Sequence, residues 1–165
     1  MPYTPIVGTL AYVWDRTADR VLMVHRIGRH DDEQLGKYNG LGGKLEADED
    51  VVSGIRRELL EEAAIAPTSM TLRGTISWPG FGPNGEDWLG FVFLVEAWTG
   101  EPPPANEEGP LVWIPRIGVL NGDIPMWEGD AYFLPLVFDD DPRAFHGVMP
   151  YQSGRPVGWR VTRLG

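Results

Sequence analysis

Three glutamates that lie close together in the chain, Glu58, Glu61 and Glu62, have types and spacing that suit a divalent metal ion. On a helix, side chains three and four residues apart share one side, so these carboxylates would be neighbours. Their charges repel, and a carboxylate at the edge of a core has a desolvation cost, so a bound cation favours the arrangement. Mg²⁺, with Mn²⁺ as an alternative, prefers oxygen ligands and accepts a substrate phosphate among them. A solvated acidic helix face is the other interpretation of this pattern.

The residues around these glutamates predict one helix over residues 51–64. Asp48 and Asp50 are N-cap candidates before it, and Pro67 follows it. At about 100° per residue, one apolar arc collects the side chains that we expect to be buried: Val51, Ile55, Leu59 and Ala63. The three glutamates fall on the margin of that arc.

The segment before the helix, residues 39–44, contains three glycines and ends at Lys44. Glycine lets the backbone approach a phosphate closely, and a lysine can neutralise the phosphate charge. A simple turn is the alternative interpretation of the same residues.

Together, the glycine-rich segment and the helix resemble the Nudix box, whose family pattern is G-x5-E-x7-R-E-U-x-E-E-x-G-U, with U a bulky aliphatic residue. The matching positions are Gly43, Glu49, Arg57, Glu58, Leu59, Glu61, Glu62 and Ile65. Ala64 departs from the pattern, which has glycine at that position. If the backbone there is left-handed, alanine costs about 1 kcal/mol of stability and leaves the chemistry unaffected.

The resemblance implies a magnesium-dependent hydrolase that cuts the pyrophosphate linkage of a nucleotide. It also implies an α+β fold, an α/β/α sandwich with a mixed central β-sheet and a loop-helix-loop catalytic motif. By position, Glu58 and Glu62 would be direct metal ligands, and Glu61 a direct or water-mediated one. The carbonyl of Gly42 would be a further oxygen donor.

The remaining box residues are implied to orient the ligands and to contact the substrate. Arg57 and Glu49 would hold the metal-binding carboxylates in place. Gly43 and Lys44 would lie against the substrate phosphates. Two residues are candidates for the general base. They are Glu58 and Glu108, and an exposed loop acid is the alternative interpretation of Glu108.

Outside the box, the chain resembles the MutT branch of the family, in particular its oxidised-purine nucleoside triphosphatases. Asn39 matches the asparagine that binds the base in that group, and a segment from Trp127 to Asp130 matches its helix start. The group has two adjacent aspartates there, and this chain has Gly129 in place of the first.

These residues have more ordinary interpretations as well. Trp78 and Trp127 could stack on a purine, whereas most tryptophans pack in a core. Asp130 could contact the base, or it could cap the helix that follows it.

We therefore expect a nucleotide-sanitising enzyme that converts 8-oxo-dGTP, or another altered purine nucleoside triphosphate, to the monophosphate and pyrophosphate. Two alternatives stay open. One is a Nudix hydrolase of ADP-ribose or dinucleoside polyphosphates, and the other is a catalytically silent module that binds nucleotide. The intact Arg57-Glu58 and Glu61-Glu62 pairs favour an enzyme.

The elements that must position these residues are mostly strands. Apolar, β-branched and aromatic runs predict strands at residues 6–14, 21–25, 72–78, 87–98, 111–114, 144–149 and 157–163, the first two forming a hairpin. A second helix is predicted over residues 130–138, with Pro135 as a point where it could break.

The composition limits the class of protein. With 165 residues, of which 42% are hydrophobic, the chain can form one domain over residues 1–165. A formal net charge of −10 disfavours polynucleotide binding, whereas a small nucleotide bound through divalent cations is compatible with it. Because the chain has no cysteine, thiolate chemistry is excluded. It has no signal-like segment and no long apolar run, so we expect a cytoplasmic protein that does not associate with membranes. We expect a monomer or a homodimer.

Overall fold

The computed structural model describes residues 1–32 and 34–165, in which there are twelve strands and three helices. The strands are β1 (Ile6–Asp15), β2 (Arg20–His25), β3 (Tyr38–Asn39), β4 (Leu41–Lys44), β5 (Ala66–Trp78), β6 (Trp88–Thr99), β7 (Ala105–Asn106), β8 (Gly109–Pro115), β9 (Phe145–Val148), β10 (Tyr151–Gln152), β11 (Arg155–Pro156) and β12 (Arg160–Arg163). The helices are α1 (Val51–Ala63), α2 (Arg116–Asn121) and α3 (Asp130–Phe138).

Strand β1 lies at the centre of a mixed sheet with the strand order β12-β9-β5-β6-β1-β2-β8-β7. One edge of β1 pairs in parallel with β6 along residues 6–13. The other edge has two antiparallel partners, β4 along residues 8–11 and β2 along residues 13–15. The partner of β1 therefore changes halfway along the strand, and β3 and β4 branch off the main order.

Helices cover both faces of this sheet. Successive side chains of a strand point to opposite faces, so Tyr12 joins one core and Val13 the other. The core around Tyr12 is completed by α2 and α3, for example by Phe133. The core around Val13 is completed by Ile55 and Leu59 of α1. This arrangement confirms the expected α+β class and the α/β/α sandwich with a mixed sheet.

Most predicted strands are present, with shifted ends. Strands β1 and β2 form the predicted hairpin. Strand β5 begins at Ala66 and not at residue 72, because its polar first half pairs with the end of β6, where Ala66 lies opposite Thr99. Only Arg160–Arg163 of the predicted strand 157–163 forms, since the N–H of Val157 instead donates to the carbonyl of Pro150 at 2.9 Å. Helix α2 was not predicted.

The glycine-rich segment forms strand β4, so its interpretation as a simple turn is wrong. It lies so close to β1 that a Cβ at Gly42 would be 1.9 Å from the carbonyl oxygen of Thr9. Gly42 also has a φ of +155°. Glycine at this position is therefore needed for β4 to reach β1.

Helix α1 spans Val51–Ala63, one residue less than predicted. Asp50, one of the two N-cap candidates, accepts the backbone N–H groups of the first turn at 2.9 Å. Ile55 and Leu59 are fully buried, as the apolar arc predicts. Ala64 follows in the left-handed conformation, with φ 54° and ψ 33°. The one residue that departs from the box pattern thus has the backbone for which glycine is favoured.

Helix α3 spans Asp130–Phe138 as predicted, and Pro135 lies inside it without ending it. Its C-terminal end is fixed by Arg73, a buried residue of β5 whose guanidinium donates to the carbonyls of Val137 and Leu136 and to Asp139 at 3.0–3.1 Å. Arg73 therefore holds α3 against the sheet. Within the described ranges, none of the helices has the length and apolar character that crossing a membrane requires.

Candidate functional site

A cavity of about 650 Å³ runs from α1, past β4 and the branch in the sheet, to the start of α3. Ten of the residues predicted from the sequence line it: Asn39, Gly42, Gly43, Lys44, Glu58, Glu62, Trp78, Glu108, Trp127 and Asp130. Glu49, Arg57 and Glu61 are outside this lining. The cavity has a carboxylate end at α1 and an aromatic end at α3.

At the carboxylate end, Glu58 and Glu62 lie one helical turn apart and face β4. The carboxylate of Glu58 lies directly over Gly43, where a Cβ would be 2.5 Å from its Oε1. The backbone N–H of Gly42 donates to Oε2 of Glu62 at 3.1 Å. The glycines of β4 thus leave the space in which both carboxylates can reach the backbone.

Both carboxylates are costly to ionise where they lie. Burial, helped by the charge of Glu58, raises the pKa of Glu62 to about 8, and the N–H of Gly42 opposes this only in part. Burial also raises the pKa of Glu58, against the opposing influence of Arg57. A divalent cation would reverse this cost, because it stabilises the ionised form of both groups.

The residues at the carboxylate end fit a hard cation, provided that groups other than side chains supply some of its ligands. Among residues 1–32 and 34–165, no three acidic, histidine or cysteine side chains form a metal-binding group. The donors at the carboxylate end are all oxygens, as Mg²⁺ and Mn²⁺ prefer. Glu58 and Glu62 would therefore hold such an ion together with backbone, water or substrate oxygens.

Arg57 positions one of these carboxylates. Its Nε and Nη2 donate to both oxygens of Glu49 at 2.6 and 2.9 Å, and its Nη1 donates to Glu58 at 3.0 Å and to Glu61 at 3.2 Å. The guanidinium lowers the pKa of Glu49 to about 2. Glu49 and Arg57 thus form a bidentate ion pair, and their role in orienting the metal-binding carboxylates stays a prediction. The Glu61 side chain is 60% exposed and lies at the outer edge.

Glu108 reaches the cavity from the loop before β8 as an ion-paired side chain. Its Oε2 lies 3.0 Å from Arg26 and its Oε1 lies 3.4 Å from Arg29. The same loop is fixed to α1, because Asn106 donates to the carbonyl oxygen of Glu62 at 3.0 Å. The interpretation of Glu108 as an exposed loop acid is therefore wrong.

The aromatic end is built around Gln34. Its Oε1 accepts from Nδ2 of Asn39 at 2.7 Å and from Nε1 of Trp127 at 3.2 Å. Phe81 packs edge-on against Trp127 with ring centroids 4.9 Å apart, and the ammonium of Lys37 lies 4.5 Å from the Trp127 ring centroid. Asn39 and Trp127 are thus held side by side in one wall of the cavity.

Asp130 is the first residue of α3 and lines the same end. The helix is capped by Gly129 with no side-chain hydrogen bond, so the interpretation of Asp130 as a helix cap is wrong. Burial raises its pKa to about 7. Its carboxyl group can therefore act as hydrogen-bond donor or acceptor near neutral pH.

Some lining residues were not predicted from the sequence. Gln34, Phe81, Tyr12 and Tyr151 all line the cavity. Tyr12 alternates with its neighbours along a predicted strand, which could have placed it on the α3 face. The other three reach the cavity through loops and a hairpin, so neither spacing nor periodicity could have found them.

Known proteins are similar to this chain in sequence and in fold. A family profile described as the NUDIX domain matches residues 4–137. An uncharacterised Nudix hydrolase, YvcI of Bacillus subtilis, is 28% identical over 140 residues, covering 82% of each chain. The oxidized purine nucleoside triphosphate hydrolase of Danio rerio is 30% identical over 119 residues, covering 72% of each. The crystal structure of a MutT protein from Bacillus halodurans superposes with a TM-score of 0.79 at 26% identity, covering 94% of this chain and 97% of that one.

Proposed function

The chain belongs to the Nudix family and is a Nudix hydrolase of its MutT branch, and on that premise we propose that it hydrolyses purine nucleoside triphosphates to the monophosphate and pyrophosphate. We further propose Mg²⁺ as its cofactor and an oxidised purine nucleotide such as 8-oxo-dGTP as its preferred substrate. Nudix enzymes act on small nucleotides, and the cavity has the size for one: about 650 Å³ falls within the usual range for small-molecule sites.

The observation that carries the proposal is the pairing of two unlike ends in one cavity. Glu58 and Glu62 face the glycines of β4 at one end, and Trp127, Asn39 and Asp130 form the other. A nucleoside triphosphate also has two unlike ends, because its polyphosphate and its planar base lie on opposite sides of the sugar. The cavity therefore matches both halves of such a substrate.

The chemistry at the carboxylate end follows from the residues there. A bound divalent cation would supply charge neutralisation and Lewis-acid activation of water. Glu58 and Glu62 would hold it, and Arg57 keeps Glu58 directed at β4. Lys44 would offset phosphate charge. Both oxygens of Glu108 lie against arginines, which favours Glu58 as the group that accepts the proton of the attacking water.

The proposed preference for an oxidised purine rests on the aromatic end of the cavity and on the description of a relative. The Danio rerio protein is described as an oxidized purine nucleoside triphosphate hydrolase, and this chain has an aromatic wall on which a purine can stack. Asn39 and Asp130 add hydrogen-bonding groups at the edge of that wall. They would contact the base edge while Trp127 contacts its face.

A panel of nucleotides tests the proposal. Purified protein is assayed with Mg²⁺ or Mn²⁺ on 8-oxo-dGTP, ordinary deoxynucleoside triphosphates, ADP-ribose and dinucleoside polyphosphates. We expect the highest kcat/KM on a purine triphosphate. Preference for ADP-ribose or dinucleoside polyphosphates would replace the proposal, and binding without turnover would indicate a regulatory module.

The position of bond cleavage is tested in the same assay. In ¹⁸O-labelled water, the proposal predicts monophosphate and pyrophosphate as products, with the label in pyrophosphate if attack occurs at the β-phosphorus. Label in orthophosphate would show a γ-phosphatase and overturn the proposed reaction.

A further inference from the structure

The wall beside Asp130 is shaped by a side chain from the far end of the chain. Gly129 has ordinary right-handed helical angles, φ −69° and ψ −19°, so its backbone does not require glycine. The atoms around Gly129, however, leave no room for a side chain. A Cβ at Gly129 would lie 2.5 Å from the hydroxyl oxygen of Tyr151 and 2.3 Å from Sδ of Met149. The phenol of Tyr151 thus occupies the space that a side chain at position 129 would fill.

Tyr151 is held firmly in that position. It lies in the hairpin of β10 and β11, and its backbone N–H donates to the carbonyl of Pro79 at 2.8 Å. The Arg155 side chain of the same hairpin forms a bidentate ion pair with Glu128, with distances of 2.9 and 3.2 Å. The hairpin is therefore tied directly to the residues that precede α3. Tyr151 is 7% exposed and is one of the residues that line the cavity.

Tyr151 and Asp130 line the same end of the cavity. The Cα of Asp130 is about 3.8 Å from that of Gly129, across one trans peptide bond, and the Tyr151 hydroxyl is against Gly129. Burial, and after it the charge of Asp130, raise the pKa of Tyr151. The phenol therefore keeps its proton at neutral pH and is available as a donor.

A donor beside an acceptor is complementary to one kind of base edge. An ionised Asp130 accepts a hydrogen bond, while the Tyr151 hydroxyl donates one. A lactam edge, with a ring N–H next to a carbonyl, offers the matching donor and acceptor. The amidine edge of adenine offers an amino group and a bare ring nitrogen in the same places, so its pattern is reversed.

On the basis of the proposed function, we propose that Tyr151 is a specificity residue that, together with Asp130, selects keto purine nucleotides over amino purine nucleotides. It takes the place that a side chain at position 129 would have and supplies a neutral hydroxyl donor there. The residue acts at the base edge only and has no part in the chemistry at Glu58 and Glu62.

Deoxyinosine triphosphate and dATP test this selection, because they differ only in the lactam or amidine edge. We expect Tyr151→Phe to lower the ratio of kcat/KM for deoxyinosine triphosphate over dATP by about 5- to 150-fold, the effect of one lost hydrogen bond to the base. Tyr132→Phe is the matched control, since Tyr132 lies on α3 but is 51% exposed. It should leave the ratio at the wild-type value.

Binding gives a second measurement that does not depend on turnover. Quenching of tryptophan fluorescence by the nonhydrolysable imidotriphosphates of the two nucleosides should show the same loss of preference in Tyr151→Phe. Gly129→Ala should lower the preference too, because its methyl group would lie within 2.5 Å of both Sδ of Met149 and the Tyr151 hydroxyl and must therefore displace that hydroxyl. This second variant covers the case in which Tyr151→Phe does not fold.

The outcomes separate this inference from the proposed function. An unchanged preference in a folded Tyr151→Phe protein, by rates and by binding, would overturn the role of Tyr151 and leave the pyrophosphohydrolase standing. Absence of triphosphate hydrolysis by the wild-type protein would instead overturn the proposed function. A wild-type preference for dATP would overturn the inferred pairing of donor and acceptor.

Discussion

Replacing Ala64 with glycine should make the protein more stable without changing its catalysis. Ala64 ends α1 in the left-handed conformation, with φ 54° and ψ 33°. A Cβ in that conformation is too close to the following carbonyl, whereas glycine has no such conflict. Ala64 is exposed and outside the cavity lining, so the lost methyl group costs little burial and touches no substrate.

The magnitude follows from two opposing effects. Relief of the left-handed strain contributes roughly 1–2 kcal/mol. Glycine has more freedom in the unfolded chain, which offsets about 0.4–1 kcal/mol of that gain. Taken at the middle of both ranges, the net expectation is about 0.8 kcal/mol of added stability, and for a chain of this size the melting temperature rises by about 2–3 °C.

Ala63→Gly is the matched control at the adjacent position. Ala63 is fully buried in the last turn of α1, in the right-handed conformation. There glycine loses helix propensity and one buried methyl group, so we expect a loss of about 1–2 kcal/mol. Thermal and urea unfolding of both variants, with steady-state kinetics alongside, give the comparison. If Ala64→Gly is neutral or destabilising while the control behaves as expected, the argument from backbone strain is refuted.

The remaining predictions concern the two ends of the cavity. Glu58→Gln and Glu62→Gln should each lower kcat by roughly 10³-fold with the fold retained, because the metal loses an oxygen ligand; near-normal turnover at saturating Mg²⁺ would contradict the assignment. Glu61→Gln should have a smaller effect in the same assay, since that side chain is 60% exposed at the edge of the site, and a loss equal to that of Glu58→Gln would place it among the direct ligands. Asp130→Asn should change the ratio of kcat/KM for 8-oxo-dGTP over dGTP and remove its dependence on pH near 7, where the Asp130 carboxylate forms; a ratio that matches the wild type at every pH would exclude base contact. The unfolded chain loses this proton near pH 4 and the folded chain near pH 7. Asp130 therefore favours folding most at acid pH, and this contribution falls as the pH rises from about 4 to about 7. Urea unfolding across that range should show a smaller fall for Asp130→Asn, and an equal fall in both proteins would refute the linkage.

The helix and the strand pattern could be predicted from the sequence because they depend on local signals. Asp50 as cap, the apolar arc with Leu59 and the following Pro67 gave α1 to within one residue. Helix α2 has six residues, begins after Pro115 and has no side-chain cap, so it is too short for a periodic pattern. The polar half of β5 also escaped prediction, because pairing with β6 and not side-chain alternation makes it a strand.

The carboxylate end of the site was predictable from spacing, whereas Asn39, Trp127 and Asp130 at the aromatic end were predicted only through the family resemblance. Glu58 and Glu62 are placed by one helix, so their spacing in sequence fixes their spacing in the fold. Tyr151 reaches Asp130 through contacts between segments that are 21 residues apart, and nothing in either segment specifies the partner. Helical spacing alone did not predict the orientation of Glu61. Glu61 lies four residues after Arg57, forms an ion pair with it at 3.2 Å and points outward.

The two helices that serve the cavity lie on opposite faces of one sheet, and this has an evolutionary consequence. Under the proposed function, changes in α3 or in the hairpin of Tyr151 would alter which base is held, while Glu58 and Glu62 belong to α1, which packs on the other face of the sheet. The residues proposed to cleave the phosphate bond and those proposed to select the nucleotide would therefore be free to diverge at different rates.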